Sequence, residues 1–248
     1  MGDIDFLNNM RINKYLARSG VASRRHADNL ILQGRVKING ILVNQLGIQV
    51  EDLKDVVEVD GKIVSPERGT FYLMMNKPPG YLVSTKDPHQ KRLVTSLLKN
   101  YKGKVFPVGR LDLDSSGLLM FTNDGNLAFR LSHPRFKVKK TYEVVCEGSI
   151  ESENLKKLED GVMLDDGPTA PANVKLIQRG HNFSQVHITI REGRKRQVRR
   201  MFDLVGHPVS TLKRISYGNL KLGNLAEGSF IHLKKGQLQK LRSLVGLK

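Results

Sequence analysis

The spacing of apolar positions divides the chain into two regimes. Up to about residue 62 the signals are short and local. Ile12 and Leu16 share one side of a helix over Arg11–Arg18, while Arg11, Lys14 and Arg18, at i, i+3 and i+7, share another. Gly20 ends that helix. Ser23 is placed to cap a second helix over residues 24–33, which Gly34 stops. Val36-Lys37-Ile38 and Ile41-Leu42-Val43 flank Asn39-Gly40, a type I′ hairpin signal, and Val56–Val59 with Lys62–Val64 turn at Asp60-Gly61. Ser-Pro-Glu-Arg-Gly at 65–69 reads as a linker.

Beyond the linker the apolar runs lengthen. Phe71–Met75 predicts a strand that ends at Asn76-Lys77-Pro78-Pro79-Gly80, a turn, and Leu118–Thr122 predicts a short buried strand. Thr141–Cys146 and Val186–Ile190 alternate or are β-branched, and Leu155–Leu158 sits in a short helix closed by Gly161. The order is mixed and lacks a regular βαβ alternation. It predicts an α+β fold in which a small N-terminal domain over 10–64 precedes a larger domain over 70–248 built on a largely antiparallel sheet.

Charge changes this picture most. Forty-one Lys and Arg oppose twenty-four Asp and Glu, a net +17. A compact fold with that excess repels itself unless a polyanion neutralises it, and nucleic acid is the natural one because binding releases condensed counterions. A merely basic soluble protein is the plain alternative. With 39% apolar residues the chain can still build a core. The single cysteine, Cys146, excludes an internal disulfide and a Cys-rich zinc site. No apolar run approaches the roughly 18 residues a membrane span needs. The acidic start, Met1 to Phe6, lacks the basic and apolar regions of a signal peptide. A monomer in a reducing cytoplasm is the expectation.

Two segments concentrate candidate chemistry. Residues 109–125 place Arg110, Asp112, Asp114, Ser115 and Ser116 in a glycine-bounded loop that feeds an apolar strand. Asp112 lies between Leu111 and Leu113, so its carboxylate calls for a cationic partner. Residues 191–200 are six-tenths basic, and the helix that follows puts Arg196, Arg199, Arg200 and Asp203 on one face and Val198, Met201, Phe202 and Val205 on the other, up to Gly206. That face is either solvated or aimed at a polyanion. Arg24 and Arg25 stand in the first turn of a helix, where the macrodipole disfavours cations, so a bound phosphate accounts for them better than a solvated cap.

These segments resemble the ordered motifs of pseudouridine synthases. Residues 109–125 are similar to the signature whose Arg-Leu-Asp carries the nucleophile, and Asn76-Lys77-Pro78-Pro79-Gly80 is similar to the first motif. Lys140-Thr141-Tyr142 resembles the segment bearing the active-site tyrosine, and Glu192–Met201 resembles the basic motif. Residues 10–62 resemble the alpha-L RNA-binding domain, named after a ribosomal protein. The branch resembled comprises the small-subunit type A and large-subunit type B, E and F enzymes. His133-Pro134-Arg135-Phe136-Lys137-Val138 and Thr122-Asn123-Asp124-Gly125 look closest to large-subunit type B.

The resemblance implies isomerisation of uridine to pseudouridine in ribosomal RNA, with no cofactor and no metal. It implies Asp112 as nucleophile, Arg199 as its ion-pair partner, and Tyr142 packing on the target base, although Tyr142 is also an ordinary strand residue by pattern. Arg110 would fill the space left by a flipped nucleotide or hold its phosphate, and Lys77 and Arg196 would contact RNA. Arg11, Lys14, Arg18, Arg24 and Arg25 would bind phosphate and add affinity. Asp114 is expected to cap the loop and Asp124 to occupy a turn. Two other readings stay open: a non-catalytic ribosomal-RNA-binding or assembly protein, and a metal-dependent nuclease using Asp112, Asp114 and Asp124.

Overall fold

The computed structural model describes residues 9–84, 92–99 and 101–247; the acidic first six residues lie outside them. The chain forms two compact units. One runs up to Thr70 and includes Lys102–Lys104, and the other takes up Phe71–Tyr101 and the chain from Val105 onward. The return of Lys102–Lys104 to the first unit had no sequence signal. Its basis is a hydrogen bond from the Lys104 main-chain N–H to Glu67 at 2.7 Å and another from Nζ to the Ser19 carbonyl.

In the first unit, helices α1 (Ile12–Arg18) and α2 (Arg24–Leu32) pack on a four-stranded sheet. α2 starts where Ser23 accepts a hydrogen bond from the His26 N–H at 3.3 Å. Strands β1 (Val36–Ile38), β2 (Ile41–Val43), β3 (Val57–Val59) and β4 (Lys62–Val64) pair antiparallel in the order β2-β1-β3-β4. Both hairpins have two consecutive residues at positive φ: Asn39 at 53° and Gly40 at 79°, then Asp60 at 51° and Gly61 at 75°. These are the type I′ turns that the sequence calls for.

Among the described residues, the second unit is built on a nine-stranded sheet. In chain order its elements are β5 (Tyr72–Lys77), β6 (Phe106–Val108), β7 (Ser116–Thr122), α3 (Gly125–Ser132), β8 (Lys140–Glu147) and α4 (Ser152–Asp160). Then come β9 (Asn173–Arg179), β10 (Phe183–Ile190), α5 (Gln197–Leu204), β11 (Val209–Tyr217), β12 (Leu220–Lys221), β13 (Phe230–His232) and α6 (Lys235–Leu244). The sheet order is β9-β10-β8-β11-β7-β5-β13, with β12 on β11 and β6 on β7. Every ladder is antiparallel except β11 with β7, so the sheet is mixed and largely antiparallel.

That sheet is covered on both faces, which explains the unbroken Leu-Leu-Met-Phe run of β7. Leu119 and Phe121 face a core with Val198, Met201 and Phe202 of α5 and Leu158 of α4. Leu118 and Met120 face the other core, with Leu127 and Leu131 of α3 and Leu241 of α6. Two expectations move. β5 continues through Asn76 and Lys77, which were expected in a turn. α5 begins at Gln197, so Arg196 stands outside it as a left-handed N-cap with φ 50°.

Candidate active site

The 109–115 loop connects β6 to β7, and four successive carbonyls hold it still. Ser115 N–H and Lys77 Nζ both donate to the Asp112 carbonyl, at 3.1 and 3.2 Å. The Leu113 carbonyl accepts from Gly80 N–H at 2.7 Å and from Lys77 at 3.4 Å. The Asp114 carbonyl accepts from Arg199 Nη2 at 3.3 Å, and that of Ser115 from Lys77 at 2.7 Å. The loop's main chain is therefore tethered by a lysine from β5 and an arginine from α5. The Asp112 carboxylate is half-buried and has no ion pair within 4.0 Å among the described residues.

Lys77 corrects the sequence expectation. It is fully buried, with 0% exposure, and cannot lie on RNA phosphate. Extension of β5 carries it beneath the loop, where its ammonium also reaches the Pro78 carbonyl at 3.0 Å. Burial pulls its pKa down to about 8, opposed by the charges of Asp114 and Asp112.

Arg199 is the second correction. It was expected to pair with Asp112, yet its guanidinium meets Asp114, at 3.3 Å from Oδ2, and donates to the Val209 carbonyl at 2.9 Å. Arg196 joins it, 3.0 Å from the same Oδ2. Burial resists the charge on Asp114, but the Arg196 hydrogen bond and the charges of Arg199 and Arg196 outweigh it and hold that carboxyl below its usual value. The helix periodicity grouped Arg199 with Arg196, which is exposed, and Arg200, which is half-buried. Instead Arg199 is 6% exposed, because it lies beside Phe202 at i+3, on the edge of the buried side of α5. Arg200 is committed elsewhere, to Asp165 and Asp166 at 2.5 and 3.0 Å.

A cavity of about 260 Å³ opens beside Asp112. Arg110, Tyr142, Arg196 and the unforeseen Lys140, Arg214 and Tyr217 line it. Tyr142, 8% exposed, stands on β8 directly across from Arg214 on β11. Arg214 is 2% exposed, donates to the Leu118 carbonyl at 2.7 Å, lies 5.0 Å from the centre of the Tyr217 ring, and has no carboxylate partner among the described residues. Its only sequence signal was its phase: position 214 follows Leu212 on the inward side of a strand, where a charge is unexpected.

The three carboxylates of the nuclease reading do not gather into one cluster among the described residues. Asp114 serves two arginines. Asp124 caps α3 by accepting from Asn126 and Leu127 N–H at 3.1 and 3.0 Å, and it takes the Tyr72 hydroxyl at 3.0 Å. No group of three His, Cys, Asp or Glu side chains is arranged to hold a metal ion among the described residues. No helix among them is long and apolar enough to cross a membrane.

In the first unit, Arg11, Lys14, Arg24 and Arg25 are exposed and Arg18 is half-buried. None of the five forms an ion pair among the described residues, although Arg24 donates to Asn13 at 3.4 Å.

Comparison with known proteins follows the same division. The profile of the family described as RNA pseudouridylate synthase matches residues 71–204, and that of the S4 domain matches residues 10–57. An uncharacterized RNA pseudouridine synthase of Aquifex aeolicus is 45% identical across 96% of both chains. The ribosomal large subunit pseudouridine synthase B of Bacillus subtilis is 42% identical, over 94% of this chain and 96% of its own. A crystal structure of a pseudouridylate synthase superposes with a TM-score of 0.68 at 30% identity, over 94% of this chain and 99% of that one.

Proposed function

The chain belongs to the RNA pseudouridylate synthase family, and from that premise we propose that it converts one uridine of large-subunit ribosomal RNA to pseudouridine, with Asp112 as nucleophile. The observation that carries this reading is the contrast at the loop. A buried lysine and a buried arginine are spent on its main chain, and the carboxylate of Asp112 is left half-buried and unpaired beside a cavity rich in cations.

The reaction breaks the bond between uracil N1 and ribose, rotates the base and joins its carbon 5 to the sugar, after which carbon 5 gives up its hydrogen as a proton and N1 takes one up. It needs no redox change and no energy input. The carboxylate of Asp112 supplies the nucleophile. The tethered main chain places the Asp112 Cα beside the cavity and leaves its carboxylate free to meet the substrate. Arg199 acts as a positioning residue, locking the Asp114 end of the loop to α5 and to Val209. The target uridine leaves its stack to enter the cavity, and Tyr142 packs on the extruded base. Arg110, exposed at the cavity mouth, fills the vacated stack or holds the flipped nucleotide's phosphate. Arg196 keeps a 45% exposed side chain at the rim for the RNA backbone while pairing with Asp114. Arg11, Lys14, Arg18, Arg24 and Arg25 supply a second phosphate-binding surface, from α1 and the start of α2.

The large-subunit assignment rests on the Bacillus subtilis relative's name and the 133–138 segment. The test uses ribosomal RNA labelled with [5-³H]uridine and taken from cells lacking the protein. Tritium release and one new carbodiimide-detected site in large-subunit RNA are expected, with EDTA present. A new site in small-subunit RNA would overturn the subunit, and no new site would overturn the function. Asp112→Asn should abolish release and leave RNA binding within a few fold, because it removes one charge and no packing. Retained turnover would remove Asp112 from its role.

A further inference from the structure

Beside the cavity lies a cluster that the proposed chemistry does not use. The end of α3 and the single helical turn Pro134–Phe136 bring Phe129, His133, Phe136, Arg130 and Arg135 together. The Phe129 ring centre is 4.9 Å from His133 and 6.1 Å, edge to face, from Phe136. The Arg135 guanidinium covers both phenylalanines, 4.6 Å from Phe136 and 5.4 Å from Phe129, and Arg130 approaches Phe136 to 5.5 Å.

Three features separate this cluster from a helix brace. α3 buries Leu127, Ala128 and Leu131, whereas Phe129 points away from that core and is 46% exposed. The geometry is held in advance: His133 Nδ1 accepts the Arg135 N–H at 3.3 Å, and the Tyr217 hydroxyl pins the Leu131 carbonyl at 2.8 Å. The surface is also continuous with the active site, because Ser132 and Pro134, interleaved with it in sequence, line the cavity that contains Asp112.

Exposed rings with stacked guanidiniums are the chemistry that receives unpaired bases, which offer a π face whatever their identity. Exposed Lys137 and Lys139 add positive charge for the phosphates on either side. We propose that Phe129, His133 and Arg135 form a stacking platform for an unpaired base of the substrate RNA close to the target uridine. The proposal rests on the functional reading above and assigns a place to the strand that continues from the flipped nucleotide. Extrusion of one base leaves its neighbours with exposed faces. A platform at the cavity rim recovers part of that lost stacking, so its effect falls on substrate affinity more than on the chemical step.

The experiment uses the full chain and the same tritiated ribosomal RNA. Phe129→Leu keeps apolar bulk and removes the ring. It should raise KM on the order of tenfold, as expected for one lost base stack, with kcat and the thermal midpoint much less affected. Phe129→Trp should restore KM, and Arg135→Gln should raise it. With p-benzoylphenylalanine at position 129, irradiation should cross-link the RNA within a few nucleotides of the modified uridine. An unchanged KM in both Phe129→Leu and Arg135→Gln would overturn the platform and leave the enzyme's function standing. So would a cross-link that maps to protein or to a distant RNA segment. A wild-type protein that released no tritium would overturn the functional reading, and the platform with it.

Discussion

Two lysines in the catalytic unit sit where an ammonium is costly. Lys77 offsets its burial with four carbonyl acceptors. Lys140 has less, the Val138 carbonyl at 3.2 Å and the face of Tyr217 at 5.7 Å, with Arg214 repelling it and Glu192 attracting it. Burial pulls its pKa from 10.5 down to about 8. The folded chain therefore binds fewer protons than the unfolded chain between pH 8 and 10.5, and stability attributable to this group rises with pH through that window. Below pH 8 the full cost of a desolvated charge is present. Lys140→Met removes that cost, so its stability relative to wild type should be most favourable below pH 8 and should decline as pH rises toward 10.5. Urea midpoints of both proteins across that range decide the matter, and parallel curves would show that Lys140 is not desolvated as described. At this scale the sequence was legible where neighbours set burial: Asp112, between Leu111 and Leu113, is half-buried. It was not legible where a choice depends on a turn. Asp112 and Asp114 are two residues apart, and only the bend between Asp112 and Ser115 decides that Asp114 meets Arg199.

Among the elements, the parallel pair β11 and β7 matters most to the site, because it carries Arg214 to the loop that precedes β7. The pairing sets Arg214 opposite Gly117. A Cβ at Gly117 would lie 2.3 Å from the Arg214 carbonyl oxygen and 2.6 Å from its nitrogen, and φ there is 102°. Both facts demand glycine. Backbone cannot swing aside as a side chain can, so Gly117→Ala must part the two strands. A loss of more than about 1 kcal/mol is expected, together with a larger loss of turnover than the stability change alone would cause. Chemical denaturation and tritium release on the same preparations test this, and a variant of full stability and activity would mean that the strands are not so close. Elements announced by turn chemistry were legible: both type I′ hairpins, the Ser23 cap and the Gly161 stop lie where the sequence put them. β11 was missed because Arg214 occupies an inward position and breaks the apolar alternation. α3 was missed because an Asp-Gly that caps a helix has the same composition as one that makes a turn.

On the scale of the whole molecule, the net charge of +17 is divided between two compact units, and every residue lining the catalytic cavity belongs to the second. The first unit has its own core of Ile12, Leu16, Ile31, Val36 and Val57. Its proposed contribution to function is affinity gained through effective concentration. Arg11, Lys14, Arg18, Arg24 and Arg25 are free of ion pairs among the described residues, and a cation without a carboxylate partner can release counterions in full when it meets phosphate. If all five contact RNA, deleting residues 1–64 should flatten the slope of log K against log salt by about 3.5 to 4.5, at roughly 0.7 to 0.9 per phosphate. Arg24→Ala together with Arg25→Ala should remove about two-fifths of that change, with no effect on folding. Filter binding over a range of salt concentrations measures both. A slope unaltered by the deletion would place RNA binding wholly on the catalytic unit. An altered slope in the deletion but not in the double variant would take the helix N-terminus of α2 out of the phosphate-binding surface.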